Sequence, residues 1–233
     1  MAKKALSIQL ADHLTGKAIM AAGGFAVICA AGSTKKLTMY QNDATVSVVS
    51  LTNGKLNCEV DVDLGVDVDI YMQSPTGHGV VATDITPSGP SEIRIDQNAR
   101  HSMLRIPFHY DDASSETDSG FVEPTNGLIL PNPTVTVGAA DSGITIDVGT
   151  DSGDSGDADG FLDGISLTTA GLVKGTLANG AVTLGNLLKV QDTGNAGDAA
   201  PEGHVSAGKA ITYTLSGSPD TASGVINLPV LLG

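Results

Sequence analysis

The chain is predicted to be all-β, built as two β-sandwich or β-barrel-like domains with a short N-terminal arm or helix. Three observations predict this. From Leu56 to Met72 every even position is apolar, while the odd positions are Asn57, Glu59, Asp61, Asp63, Gly65, Asp67, Asp69 and Tyr71. Strict alternation marks a strand with one buried and one solvated face. Asn53-Gly54 stands between Thr45–Leu51 and Leu56, and Asn-Gly between apolar runs is the strongest short hairpin signal. The composition holds 29 Gly but only 3% aromatic residues and no Trp, so the core must come from Val, Ile, Leu and Ala.

The elements follow in chain order. Ala5–Leu14 is the only stretch with helical character, and residues 1–16 are assigned as an N-terminal arm. Ala26–Ala30 is a strand, followed by the Asn-Gly hairpin and the long alternating row. A row from Leu56 to Met72 exceeds the usual strand of ~3–10 residues, so a break or bulge is expected near Gly65. Ile93–Asp96 and Leu104–Tyr110 complete a first β domain, 17–111. The polar, acidic stretch 112–127 is assigned as a linker or long loop. A second, acidic β domain, 128–233, holds strands at Thr134–Val137, Ile144–Val148, Ile211–Leu215 and Val225–Leu232. A second hairpin is expected at Asn179-Gly180, between Gly175–Ala178 and Ala181–Leu184. Asp151–Gly160 and Asp192–Gly203 are expected to be polar loops. Pro229 places the apolar C-terminal segment at a sheet edge or a strand break.

Charge narrows the function. Twelve basic and 26 acidic residues give a net of −14 over 233 residues. Nucleic-acid binding needs clustered cations, so it is not expected. Residues 1–111 hold 9 basic and 11 acidic side chains, residues 112–233 hold 3 and 15, and no Lys or Arg occurs between Arg105 and Lys174. The apolar run Ala18–Ala31 is too short for a bilayer, which needs ~20 residues, and Ser7, Gln9, Asp12 and His13 interrupt any signal-peptide core. The chain is therefore expected to act without secretion and without a membrane. In a reducing compartment Cys29 and Cys58 are expected to be free, buried thiols.

No motif assigns a catalytic, cofactor-binding or metal-ligating residue. Gly77-His78-Gly79-Val80-Val81-Ala82 fits a loose dinucleotide pattern, but Pro87 and Pro90 follow where a helix would have to begin, so it is read as a turn. Asp151–Gly160 lacks the bidentate Glu of an EF-hand loop. A looser calcium site through Asp157, Asp159 and Asp163 stays open beside the reading as a polar turn. His101 and His109 lie on one face of any continuous strand, without the three or four converging ligands zinc requires. The acidic row Glu59–Asp69 spaces its carboxylates ~7 Å apart, as a solvated strand face does.

Two stretches carry a resemblance. Gly23–Asp43 is a Gly-led strand ending in Ala-Gly, a Ser/Thr turn and a strand with Tyr40. With Asn53-Gly54-Lys55 and Val68-Asp69-Ile70-Tyr71, it resembles a capsid-binding module of bacteriophage virion proteins, found in head fibres, tail spikes and capsid-associated proteins. Ile146–Lys174 resembles a segment of phage structural proteins. The resemblance implies a virion component, and the chain's length matches a head decoration (cement) protein. Such a protein would bind the major capsid protein on the outer surface of the head as a homotrimer, after assembly in the host cytoplasm. Lys3, Lys4, Lys17, Lys35 and Lys36 would face the shell. A tail or head-fibre adaptor, or another minor virion protein, is the alternative. A carbohydrate-binding β protein is the further one, disfavoured by the missing Trp platforms.

Overall fold

The computed structural model describes residues 2–63, 65–87, 90–112, 115–125, 127–176, 183–190, 200–201 and 203–233. The described chain is all-β, as the alternation predicts, and divides into two units, Met1–Arg105 and Ile106–Gly233.

The first unit contains β1 (Ala2–Asp12), β2 (Phe25–Ala30), β3 (Met39–Gln41), β4 (Ala44–Val46), β5 (Val49–Ser50), β6 (Lys55–Val62), β7 (Val68–Gln73), β8 (Gly79–Ile85) and β9 (Pro90–Ile95). One sheet runs β4-β3-β6-β1-β9 and the other β5-β2-β7-β8. Leu6, Ile8, Leu10, Leu56 and Val60 of the first sheet share one core with Ile28, Val68, Ile70 and Met72 of the second. Apolar rows on facing sheets make this a β-sandwich.

Ala5–Leu14 is not helical, and residues 1–16 are not an arm. The segment forms β1, paired antiparallel to β6 from Ala2↔Val62 to Gln9↔Lys55 and parallel to β9. Leu6, Ile8 and Leu10 alternate with Ser7 and Gln9, and all three are buried. Two open strand edges and a core position for every second side chain outweigh a weak helical propensity.

The long alternating row breaks where expected. Gly65 has φ +79, and β6 and β7 lie in different sheets. Every described even side chain from Leu56 to Met72 is buried except Val66, which is 41% exposed in the turn. The odd side is not uniformly solvated. Asp69, Tyr71 and Gln73 are 5%, 8% and 2% exposed. Asp69 accepts the Gly32 N–H at 2.8 Å and the Asp84 N–H at 3.0 Å, which replaces the water a buried carboxylate loses. The row from Glu59 to Asp69 is therefore two separate sheet surfaces.

Asn53 and Gly54 both have positive φ, +51 and +65, as a two-residue type I′ turn requires. The turn closes between Thr52 and Lys55, yet the strand upstream does not pair with β6. It divides into β4, paired with β3, and β5, paired with β2. The Gly54 carbonyl accepts the Leu10 N–H at 2.9 Å. The turn is thus a corner from one sheet to the other.

β10 (His101–His109) carries the chain across the boundary into the second unit. That unit contains β11 (Thr117–Val122), β12 (Leu128–Ile129), β13 (Thr134–Ala139), β14 (Thr145–Thr150), β15 (Leu162–Ser166), β16 (Gly171–Lys174), β17 (Lys189–Val190), β18 (Ala200–Pro201), β19 (His204–Val205), β20 (Ala210–Leu215) and β21 (Ser223–Leu231). Its sheets are β16-β13-β21-β12-β19, with β10 also on β21, then β11-β20-β14-β15, and the pair β17-β18.

Residues 112–127, expected as a linker, contribute β11 to a sheet edge, and the division between units falls at Arg105 instead. Ser119 and Phe121 are 1% and 0% exposed. A polar segment can hold an edge strand when its partner, here Ile211, Tyr213 and Leu215 of β20, supplies the buried side chains. The C-terminal segment packs inside its own unit. Ile226, Leu228 and Val230 of β21 are fully buried. Pro229 lies between the residues that pair with β13 and those that pair with β12, where a missing N–H breaks no ladder bond. The expected hairpin at Asn179-Gly180, Leu64, and most of Asp192–Gly203 lie outside the described residues.

Candidate functional site

The residues singled out in the sequence do not gather in one place. Gly77-His78-Gly79 joins β7 to β8, both strands, so no helix follows it. His78 is 6% exposed. Its Nδ1 lies 2.8 Å from Thr76 Oγ1 and its Nε2 2.9 Å from the Ala99 carbonyl. A buried ring with both nitrogens engaged fixes a turn. His101 and His109 are the two ends of β10, about 27 Å apart at ~3.4 Å per residue. His109 Nδ1 faces Asp111 Oδ2 at 3.6 Å.

Cys29 and Cys58 are buried thiols that no disulfide joins, on β2 and β6 in different sheets. Burial, then the Glu59 charge, pushes the Cys58 thiol up to about 12. Cys29 Sγ donates to the Thr34 carbonyl at 3.4 Å. A thiol that stays protonated is a poor nucleophile and a poor metal ligand.

The acidic loop after β14 is a compact turn. Asp151 accepts the Gly153 N–H at 2.8 Å with its side chain and the Gly156 N–H at 2.9 Å with its carbonyl. The Asp157 N–H donates to Thr150 Oγ1 at 2.9 Å. Asp157 is pushed up to about 6, first by a hydrogen bond shared with Asp159, then by burial and the Asp159 charge. Asp147 is raised mainly by burial, with Asp163 and Asp159 adding to it, while the Gly164 N–H opposes. Like charges are crowded here. Among the described residues no three His, Cys, Asp or Glu side chains form a set able to hold a metal ion.

Beside this loop lies a cavity of about 200 Å³, lined among others by Thr150, Ser155, Asp157, Leu187, His204 and Lys209. Glu123, just past β11, stands behind His204 and is 0% exposed. Its Oε1 is 2.8 Å from His204 Nε2. The imidazole also meets the Phe161 ring in a tilted contact, with centroids 5.8 Å apart. Among the described residues no hydroxyl or thiol is hydrogen-bonded to His204. Neither Glu123 nor His204 belongs to a sequence motif. Glu123 precedes Pro124 in a stretch whose composition reads as loop, so no local signal marks it.

The first unit presents a different surface. Lys3, Lys17 and Lys35 are exposed and Lys4 and Lys36 half-buried. Lys3 Nζ lies 3.7 Å from the centre of the Tyr40 ring and 4.0 Å from Glu59 Oε2. The turn after β1 is tied down by Asp12, whose Oδ1 accepts the Thr15 N–H at 2.8 Å and the Thr15 hydroxyl at 2.7 Å. The Asp12 N–H donates to the Lys17 carbonyl at 2.8 Å. This turn and the residues after it leave Leu14 71% and Met20 65% exposed. Apolar side chains on a well-bonded turn lose little further freedom on contact, which favours association. No protein-family model matches the chain, and no curated protein or solved structure matches it.

Proposed function

We propose that the chain is a bacteriophage capsid decoration (cement) protein, which binds the outside of the assembled head and bridges neighbouring capsomers as a homotrimer. The observation that supports it is the module resemblance in the first unit. Its residues, Gly23–Asp43, Asn53-Gly54-Lys55 and Val68–Tyr71, belong to one β-sandwich rather than to scattered elements. That unit also carries nine of the twelve Lys and Arg residues, together with the exposed Leu14 and Met20. In this proposal the first unit faces the shell and the acidic second unit faces solvent. The mechanism is multivalent: each contact is modest, and linked copies raise the effective affinity without any new contact.

Purified protein mixed with heads that lack it tests the proposal by co-sedimentation. Saturable binding is expected, weakened by Leu14→Asp or Lys17→Glu. Heads that never retain the protein would reject it. A tail or head-fibre adaptor would bind in a few copies at a vertex, and saturation stoichiometry separates the two.

A further inference from the structure

Glu123 is a fully buried carboxylate whose partners all come from one short segment, 203–209. Its Oε2 accepts the Ala207 N–H at 2.7 Å and the Lys209 N–H at 3.2 Å. Its Oε1 faces His204 Nε2 at 2.8 Å. Its own backbone N–H donates to the Lys209 carbonyl at 2.8 Å. One residue therefore grips the segment near both ends. Among the described residues its other bonds are the two-residue pairing of β19 with β12, the Ser206 N–H on the Gly127 carbonyl at 3.0 Å, and the Lys209 side chain on the Ser155 carbonyl at 2.7 Å. Val205 is 73% exposed and Gly208 turns the chain at φ +76.

The same segment forms one wall of the cavity, through His204, Ala207 and Lys209. The other walls come from the acidic loop and Leu187. Lys209 Nζ reaches across to the Ser155 carbonyl at 2.7 Å. The titratable groups around the carboxylate are thus His204 in contact, Lys209 on the same strap, and Asp157 on the far side of the cavity.

We propose that Glu123 is a latch: its carboxylate holds the strap 203–209, with the short edge strand β19, closed over the cavity, and its neutral form lets the strap open while the strands β20 and β21 stay folded. The physical reason is the number of bonds that depend on one charge. Hydrogen bonds to an ionised acceptor are roughly twice as strong as neutral ones, and protonation removes the carboxylate charge from the contacts with the Ala207 and Lys209 amides and the His204 ring at once. Burial pushes the Glu123 carboxyl up, but the close His204 ring and the Ala207 and Lys209 amides outweigh it, so it lies below its usual 4.5. A lowered carboxyl contributes stability above its unfolded value and loses it as pH falls through the folded one. The latch is closed at neutral pH and opens only in acid.

Amide hydrogen exchange of the full-length protein tests this, read at Ala207 and Lys209 and referenced to amides of β20 and β21. Rates are corrected for intrinsic pH dependence, from about pH 7 to about pH 3.5. Protection at Ala207 and Lys209 is expected to fall by up to about tenfold in acid, the limit linkage sets for one carboxyl at about pH 3.5, while the two reference strands keep theirs. Glu123→Gln is expected to show the open strap already at neutral pH, with little further change on acidification. Loss of protection in the strap and the strands together would overturn the latch, because the unit would be unfolding as a whole. Full strap protection in acid, or in a folded Glu123→Gln, would overturn it too. If that variant does not fold, the pH series on the unaltered protein decides alone.

Discussion

Asp157→Asn should stabilise the second unit, and only above the range in which Asp157 is protonated. The carboxyl sits at about 6 against its usual 3.8, because Asp159 shares a proton with it and Asp163 adds charge. A shift of that size corresponds to about 3 kcal/mol of unfavourable ionisation. The residue is half-buried, so solvent screening reduces the realisable part to about 1 kcal/mol. The sign follows from linkage. A carboxyl raised on folding favours the folded state as pH drops through 6 toward 3.8, and opposes it once ionised. Asn removes the charge and keeps a donor for Asp159. Urea unfolding at about pH 7.5 should therefore show the variant more stable by about 1 kcal/mol, or about 4 °C in Tm. At about pH 4 the two proteins should converge. A variant that is less stable at pH 7.5, or a difference that does not change with pH, would refute like-charge crowding as the dominant interaction in this loop.

Other substitutions probe the first unit. Ile8→Ala empties a fully buried position of β1 and should lower stability by about 2–5 kcal/mol in urea unfolding; an arm with no core role would tolerate it. Gly54→Ala places a Cβ 2.0 Å from the Ile19 carbonyl at φ +65. Both the clash and the left-handed backbone oppose it, and a thermal melt should show a loss of about 2 kcal/mol or more. Native protein at about pH 8 should leave both thiols unmodified by a disulfide reagent, because Cys58 ionises only near 12 and both residues are buried, whereas denatured protein without reductant should yield two.

Much of the fold was legible because it is written in strand periodicity. The even row from Leu56 to Met72 names the buried faces of β6 and β7, and Gly65 marks their separation. Asp69 shows the limit. Alternation assigns it to water, but the loop amide of Gly32 and the bulge amide of Asp84 reach it. Nothing in the period of a strand tells which loop will cover its second face. Ala5–Leu14 was obscured for a related reason. Ala, Leu and Gln suit a helix, and the strand edges that recruit them come from residues some fifty and eighty positions later. The Asn-Gly turn was legible as a turn, but its partner strands were not, since the turn dipeptide does not say which sheet each arm joins. Glu123 and His204 were invisible because their relation is purely tertiary. Each is an ordinary polar residue in a polar stretch until the fold brings them to 2.8 Å.

The capsid proposal is tested most directly by counting copies of this chain in purified virions, by quantitative mass spectrometry against the major capsid protein. A decoration protein is expected at a fixed stoichiometry set by the three-fold positions of the shell, comparable in order to the capsid protein itself. Its absence from the particle, or a count of only a few copies, would contradict the proposal.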